Sequence, residues 1–437
     1  MWYFSLSEEP MKFFNDLIET IMSKSRAGFG LSNQTSMAVS NEPKEMITSV
    51  MTAVGEVSSI AYADNFLRMF DGMNVSQKQA LFITIATELD IDISFLRSAV
   101  ENYSNIPDAE NFIHITSAVE PGWTELLRRL NATAHGTVRL VKMRSDLLTI
   151  IRTDPSLARL DVSFRALLRN WFSPSFLVLR PIDWSTPANI LEKIIAYEAV
   201  HEIESWDDLR SRLAPDDRRC FAFFHPSMED EPLIFVEVAL TSEIPGQINT
   251  VLETDRPMID ATDTSCAIFY SISNCQKGLG GISFGNFLIK QVAQALQREY
   301  PNLKNFLTLS PVPYFSTWLE KAEPNTLASF AEVDWSEASE EDERTLIEAA
   351  GRYFMNSTRK DKQPNDPVAR FHLGNGALLD RINLAGNLSQ KGLSESFGLM
   401  VNYRYDLPNV EKNHEAYAKE QRIEISQDVK KLFKTLQ

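Results

Sequence analysis

The amino-acid sequence predicts an α+β protein of two domains, a helical bundle over residues 1–172 followed by an α/β domain over residues 173–437. The chain has 437 residues, more than one hydrophobic core usually organises. From Pro43 to about Asn170 the apolar residues recur mostly at helical spacing, whereas beyond Trp171-Phe172-Ser173-Pro174 they form short runs typical of strands. This change of period marks the predicted domain boundary.

Amphipathic helices account for the first part of the chain. Ala63, Phe66, Leu67 and Phe70 have the spacing of one buried helix face. Turn-forming sequences at 71–74, 105–108 and 120–122 leave only short loops, as helix bundles prefer. A basic group at residues 128–144 is interpreted as a solvated helix face rather than an anion site, because Lys and Arg ordinarily lie on exposed faces. The group consists of Arg128, Arg129, Arg139, Lys142 and Arg144.

Strands alternate with helices in the second part. The strand-like runs are FLVLRPIDW, CFAFFH, PLIFVEVAL, AIFYSIS and NFLTLS. Helical segments such as FLIKQVAQALQREY lie between several of them, and this alternation favours an α/β domain with a largely covered sheet. The segment DWSEASEEDERTLIEAAGRYF is acidic and is predicted to form an exposed helix.

Charge and composition argue against several classes of binding partner. With a formal charge of −16, the protein lacks the excess of basic residues that a nucleic-acid binder needs. The three cysteines, at 220, 266 and 275, are widely spaced without a CxxC pair, and the six histidines show no convincing ligand spacing with carboxylates. We therefore expect neither nucleic-acid binding nor a metal site.

The predicted location is the cytoplasm. No window approaches 18 uninterrupted apolar residues, so no membrane partner is expected. The start, MWYFSLSEEPMKFFNDL, has acidic residues between its apolar ones and no cleavage signature. The last residues, KKLFKTLQ, are not a peroxisomal address.

A glycine-rich turn between a strand and a helix is the first candidate site. Residues 267–296 read as strand, then a turn with Gly278, Gly280, Gly281 and Gly285, then an amphipathic helix. Backbone amides in such a turn can hold a pyrophosphate. The turn lacks both the Walker and the GxGxxG spacing, which leaves coenzyme A as a candidate ligand; alternatively, the glycines only form a tight turn.

Ser310 and His372 are the candidate chemical groups. Ser310 ends a strand-like run before Pro311 and Pro313, where it either contributes to a site or only forms a turn or starts a helix. It is not in a GxSxG elbow, so hydrolase chemistry has no local support. His372 lies between two apolar residues and is either a general acid or a structural histidine.

Together these segments resemble the malonyl-CoA decarboxylase family. The motifs that carry the resemblance are QKGLGGISFGNFLIK, LTLSPVPYFSTWL and DPVARFHLGNGALLDRINLAGNLSQKGLSESFGLMVNYRYDL. They occur in the family's order, and the resemblance covers most of residues 120–418, more weakly in the helical part.

The resemblance implies an N-terminal helical domain that assembles the protein, as a homotetramer, and a GNAT-like catalytic domain with the acetyltransferase fold. It implies decarboxylation of malonyl-CoA to acetyl-CoA and CO2, with no metal and no organic cofactor. Ser310 matches the family's proton acceptor or carboxylate-positioning serine, His372 its proton donor, and Tyr405 the tyrosine of its N-Y-x-Y motif. The family's malonyl-CoA contact stretch falls on Gly280, Gly281, Ile282, Ser283, Phe284, Gly285 and Asn286.

The implied reaction passes through a thioester enolate, because loss of CO2 leaves an electron pair that the thioester carbonyl accepts. Fixed hydrogen-bond donors must face the developing oxyanion, and the turn amides of residues 280–283 are predicted to supply them. Two rival functions share the fold or the ligand: an acyl-CoA N-acyltransferase, and a noncatalytic malonyl-CoA sensor. Fold analogy alone does not separate them.

One position departs from the wider acetyltransferase pattern. The pyrophosphate loop usually begins with Arg or Gln, and Cys275 occupies that place. Lys277, Lys290 and Arg370 are predicted either to form a positive mouth for the anionic substrate or to be solvated surface charges.

Overall fold

A computed structural model of the chain describes residues 42–254, 256–257, 259–282, 288–359 and 363–434. The chain divides into two compact units. The first, called the helical unit, contains the described residues up to Val178 together with 224–231 and 276–282. The second, called the mixed unit, contains 179–223, 232–275 and the described residues from 288 onward. A helical region followed by a mixed-sheet region confirms the predicted α+β class, while the boundary at residue 172 stays a prediction.

Short polar turns delimit the helices of the helical unit. Asn74 caps one helix by accepting a hydrogen bond from the backbone N–H of Gln77, whose side chain bonds back to the Asn74 N–H. Asp92 and Asp108 cap the next two helices by accepting from backbone N–H groups in the first turn, without the return bond. The helices are α1 (Pro43–Thr52), α2 (Glu56–Gly72), α3 (Val75–Glu88), α4 (Ile93–Asn105), α5 (Ala109–Ala118), α6 (Gly122–Asn131), α7 (Gly136–Ile151) and α8 (Ala158–Trp171).

The apolar spacing of the helical unit correctly identifies its buried faces. Ala63, Phe66, Leu67 and Phe70 are all buried in α2. The ring of Phe70 meets that of Phe82 in α3 edge to face, with the centroids 5.6 Å apart. The predicted i, i+3, i+4, i+7 face is thus confirmed as a packing surface.

The prediction of a solvated basic face is wrong for Arg144. Its side chain is only 1% exposed, and Nε donates to Asp161 Oδ1 in α8 at 2.6 Å. The reason is its helical phase, because Leu140 and Leu147 on the same side of α7 are also buried. Lys142, on another side of the helix, is exposed as predicted.

One mixed sheet forms the centre of the mixed unit. Its strands in the described residues lie in the order β1-β2-β3-β4-β5-β8-β6, with β7 also paired to β8. All recorded pairs are antiparallel except β4 with β5, which is parallel. The strands are β1 (Val178–Ile182), β2 (Arg218–Phe224), β3 (Ile234–Thr241), β4 (Cys266–Asn274), β5 (Asn305–Thr308), β6 (Ser310–Pro311), β7 (Leu378–Asn383) and β8 (Met400–Arg404).

Helices connect and cover these strands. They are α9 (Ala188–Tyr197), α10 (Trp206–Leu213), α11 (Asn249–Leu252), α12 (Leu288–Glu299), α13 (Phe315–Ala322), α14 (Pro324–Phe330), α15 (Glu340–Asn356), α16 (Pro367–Gly374), α17 (Gln390–Ser396), α18 (Val410–Glu420) and α19 (Gln427–Lys434). No helix in the described ranges is long and apolar enough to span a bilayer.

The acidic segment predicted as an exposed helix is α15. Ser339 caps it and four acidic residues follow in its first turn, which complements the helix dipole. Its exposure is correct only for the acidic face, because Leu346, Ala349, Ala350, Tyr353 and Phe354 are buried.

Candidate active site

Ser310, His372 and Tyr405 lie together in the mixed unit, although they are far apart in sequence. Ser310 Oγ is 3.2 Å from His372 Nε2, and His372 Nδ1 is 2.8 Å from the Tyr405 hydroxyl oxygen. The three residues are 5%, 3% and 2% exposed. The two catalytic candidates and the tyrosine therefore form one continuous, buried hydrogen-bond chain.

Strand pairing positions Ser310. It begins β6, where it pairs with Val401 of β8, and Pro311 and Pro313 follow it. The Ser310 hydroxyl donates to Thr308 Oγ1 at 2.8 Å. Helix α13 begins only at Phe315, so Ser310 does not start a helix.

A short capped helix positions His372. Asp366 caps α16 by accepting from the Ala369 N–H at 2.7 Å, and the helix ends two residues after His372. Gly376 then adopts φ +83° in the turn that leads into β7. A Cβ at Gly376 would lie 2.1 Å from the Val410 carbonyl oxygen, so both the conformation and the close approach require glycine here.

The imidazole of His372 is held neutral. Burial lowers its pKa from the usual 6.5 to about 3, because the imidazolium would lose its hydration. The ring stacks on Tyr403 with the centroids 4.8 Å apart and the planes 23° apart. At neutral pH the side chain therefore carries one N–H and one acceptor nitrogen.

The hydrogen-bond network assigns the tautomer. Because the Ser310 hydroxyl donates to Thr308, its oxygen accepts from His372 Nε2. Nδ1 is then the acceptor of the Tyr405 hydroxyl. Burial also raises the pKa of Tyr405, so this phenol stays protonated and available as a donor.

Three residues that support the site, Thr308, Asn402 and Tyr403, were not predicted from the sequence. Thr308 Oγ1 accepts both from Ser310 and from the Tyr403 N–H, and Asn402 donates to the Thr308 carbonyl at 2.8 Å. Tyr403 and Tyr405 are two residues apart, and both rings contact the imidazole of His372. The period of two in the N-Y-x-Y motif was the signal that could have added Tyr403.

The glycine turn belongs to the helical unit and leads from β4 toward α12, so the predicted order of strand, turn and helix is confirmed. A Cβ at Gly278 would lie 1.8 Å from the Val141 carbonyl oxygen of α7, and the Gly278 carbonyl accepts from Arg144 Nη1 at 2.5 Å. Gly280 and Gly281 are exposed and Ile282 is buried. The predicted contacts Ser283, Phe284, Gly285 and Asn286 lie outside the described residues.

The three cationic candidates, Lys277, Lys290 and Arg370, differ in the partners of their charged groups. Lys290 forms an ion pair with Glu411 at 2.5 Å, and the guanidinium of Arg370 donates to the carbonyls of Pro364 and Asn365. Lys277 is exposed and has no partner among the described residues. Cys275 is a buried thiol that donates to the Ser273 carbonyl, and it supplies no cation. In the described ranges, no three His, Cys, Asp or Glu side chains gather as metal ligands would.

Two family models together match most of the chain, from residue 90 onward. Residues 90–172 match the malonyl-CoA decarboxylase N-terminal domain, and residues 175–437 match the malonyl-CoA decarboxylase C-terminal domain. Curated relatives include the mitochondrial malonyl-CoA decarboxylase of Anser anser anser, 35% identical over 71% of this chain and 69% of the relative. The Rattus norvegicus enzyme is 32% identical over 73% of each chain.

Solved structures resemble the chain over most of its length. A malonyl-CoA decarboxylase from Rhodopseudomonas palustris is 44% identical, with a TM-score of 0.86, and the match covers 90% of this chain and 99% of that one. The one from Agrobacterium vitis is also 44% identical, with a TM-score of 0.83 and coverage of 89% and 99%.

Proposed function

We propose that this chain, which belongs to the malonyl-CoA decarboxylase family and is a carboxy-lyase, converts malonyl-CoA to acetyl-CoA and CO2 through a thioester enolate. The observation that carries the mechanism is the buried chain Ser310, His372, Tyr405. The thioester carbonyl receives the electron pair of the breaking carbon–carbon bond, so the residues need only place the carboxylate, stabilise the enolate and protonate carbon.

A neutral site suits the bond-breaking step. The malonyl carboxylate carries a full negative charge in the ground state, and this charge spreads toward the thioester as CO2 leaves. An imidazolium would bind the localised charge most strongly and so stabilise the ground state more than the transition state. The neutral His372, with its pKa lowered to about 3, avoids this.

Ser310 positions the substrate. Its hydroxyl now donates to Thr308, and rotation about the Cβ–Oγ bond directs the same hydrogen to the malonyl carboxylate or to the thioester oxygen. A neutral hydroxyl orients an anion without a strong ion pair.

His372 delivers the proton, with Tyr405 behind it. The Nε2 proton passes to the α-carbon of the enolate, Nδ1 takes the Tyr405 proton, and one proton from solvent restores the pair. The balance is one malonyl-CoA and one proton in, one acetyl-CoA and one CO2 out. Contact with the coenzyme A part is proposed for residues 280–286, of which Gly280, Gly281 and Ile282 are described.

The test follows both products in one reaction. The purified full chain is mixed with malonyl-CoA, without added metal or amine, and CO2 and acetyl-CoA are measured together. Equimolar appearance of both supports the proposal. Free thiol released only when an amine is present would indicate an N-acyltransferase, and tight binding without product would indicate a sensor.

Three variants test the residues. Ser310→Ala and His372→Asn are each expected to lose about 100-fold or more in kcat, and His372→Asn should still bind malonyl-CoA. His135→Asn is the matched control, because His135 is exposed, lies in the helical unit and has a backbone conformation that Asn tolerates. Equal loss of binding and turnover in His372→Asn would instead assign that residue a structural role.

The assembly is proposed to be a homotetramer held by the helical domain. Exposed apolar side chains on α4 and α5 support an interface there, namely Ile93, Phe95, Val100, Phe112 and Ile113. Light scattering of the purified chain measures the mass directly, and a monomer at micromolar concentration would refute the assignment. A cytoplasmic location stays a prediction.

A further inference from the structure

Arg165 is an arginine with no partner among the residues that the structure describes. It lies in α8 and is half-buried, and its Nε is shielded from solvent with no hydrogen-bond acceptor among the described residues. Leaving a shielded donor unpaired is costly, and guanidinium groups are ordinarily paired when their donors leave water. The arrangement therefore points to an acceptor that the described part of the chain does not provide.

The carboxylate nearest in sequence is already engaged. Asp161 stands one helical turn before Arg165, at the spacing of an intrahelical ion pair. Both of its oxygens accept instead from the buried Arg144 of α7, Oδ1 from Nε at 2.6 Å and Oδ2 from Nη2 at 3.4 Å. Asp161 thus pairs with Arg144 and not with Arg165.

The guanidinium of Arg165 lies beside the glycine turn. Arg165 Nε lies 4.0 Å from the position of a Cβ at Gly281, and both residues belong to the helical unit. Gly281 is exposed, and its N–H has no acceptor among the described residues. Lys277, four residues earlier, is also exposed and unpaired in that part of the chain. Arg144 also holds this turn in place, because its guanidinium donates a hydrogen bond to the Gly278 carbonyl.

We propose that Arg165 binds the diphosphate of the coenzyme A thioester, together with the Gly281 N–H and the Lys277 ammonium. The inference rests on the proposed function, whose substrate carries that diphosphate. A planar guanidinium donates two parallel hydrogen bonds to phosphate oxygens, and a backbone amide adds a third donor. Arg165 thereby supplies the cation that the buried thiol of Cys275 does not.

Arg165 acts in binding and leaves the chemical step alone. Its contact is with a part of the substrate that does not react, so it holds ground state and transition state equally. Removing it should therefore raise KM and leave kcat unchanged.

The experiment compares two variants on two substrates. Arg165→Met and Arg169→Met remove one positive charge each from the same helix, and Arg169 is exposed without a described partner. The substrates are malonyl-CoA and malonyl-pantetheine, a thioester without phosphates. Arg165→Met should raise KM for malonyl-CoA roughly 10- to 100-fold, with kcat within about twofold and no change on malonyl-pantetheine. Arg169→Met should match the wild type.

Other results overturn the proposal. Equal KM values for the two variants, or an equal loss on both substrates, would show that Arg165 does not contact phosphate. A KM effect that disappears with malonyl-3′-dephospho-CoA would place Arg165 on the ribose phosphate instead of the diphosphate.

A binding measurement separates this proposal from the proposed function. Calorimetric titration with free coenzyme A needs no turnover, so it tests Arg165 even if the wild type releases no CO2. Weaker binding by Arg165→Met than by Arg169→Met supports the assignment, and equal binding refutes it. Comparable thermal unfolding of both variants checks that the fold is intact.

Discussion

The Nδ1 atom of His372 lies 2.8 Å from the hydroxyl oxygen of Tyr405, and both side chains are buried. Ser310 Oγ lies 3.2 Å from the other imidazole nitrogen, Nε2. The imidazole is thus held from both edges and stacked on Tyr403, which fixes its plane, its tautomer and the direction of its Nε2–H. A proton donor fixed in this way is pre-organised for one position of the substrate.

Tyr405→Phe should lower kcat about 100-fold or more and change KM by less than about twofold. The variant keeps the ring and removes the hydroxyl that both bonds to Nδ1 and gives it a proton as the Nε2 proton leaves. Steady-state kinetics with malonyl-CoA give both constants. Tyr62→Phe, a change of the same kind in α2, serves as the control. A rise in KM alone would contradict a role for Tyr405 in positioning His372.

Stability should fall in acid because of His372. Its pKa is about 3 when folded and about 6.5 when unfolded, so between these values the unfolded chain binds the extra proton. The contribution of neutral His372 is complete above pH 6.5 and is lost as the pH falls toward 3.

Comparison with His372→Gln isolates this effect from the carboxyl groups that also titrate. Between pH 6 and pH 4 the free energy of unfolding of the wild type should fall more steeply than that of the variant, by about 1.4 kcal/mol per pH unit. Urea denaturation at several pH values measures both slopes. Parallel slopes would mean that His372 is charged in the folded protein.

Gly376→Ala should destabilise the protein by about 2–4 kcal/mol. Alanine is strained at φ +83°, and its Cβ would meet the Val410 carbonyl oxygen at 2.1 Å. Gly72→Ala is the control, because a Cβ at that helical position meets nothing within 4 Å. It should leave stability unchanged or raise it by up to about 1 kcal/mol. Equal midpoints in chemical denaturation would refute the requirement for glycine at residue 376.

Local pattern and long-range contact explain which features could be predicted. The helix face of Phe66 and Phe70 follows from spacing within one element, and Asn74 marks a helix start by its own chemistry. Ser310 and His372 are 62 residues apart, and their contact depends on how β6 pairs with β8, which no local pattern encodes. From the sequence, only the family resemblance assigns Ser310 and His372 to the same catalytic site.

Arg144 shows the same limit in the helical unit. Residue type alone favours exposure for an arginine, whereas its phase with Leu140 and Leu147 favours burial. The deciding factor is Asp161 in the next helix, whose carboxylate neutralises the buried guanidinium. Such a partner is visible only once α7 and α8 are packed, because the helical period of one element does not indicate what the next element presents.

Arg144→Met should therefore destabilise the protein by about 3–5 kcal/mol, because it leaves Asp161 without its partner and frees the Gly278 carbonyl. Arg128→Met is the control, since that exposed arginine pairs with Glu120 at the surface and should cost at most about 1 kcal/mol. The free energy of unfolding is measured by urea titration at neutral pH.

The double variant Arg144→Met/Asp161→Leu tests the cause of the loss. If the cost comes from an unpaired carboxylate, removing Asp161 as well should recover much of the stability, because apolar residues replace buried ion pairs well. The two changes would then be strongly non-additive. The alternative outcome is that the free energy lost by the double variant equals the sum of the losses of the two single variants. That result would assign the stability to the hydrogen bond from Arg144 to the Gly278 carbonyl, which holds the glycine turn against α7.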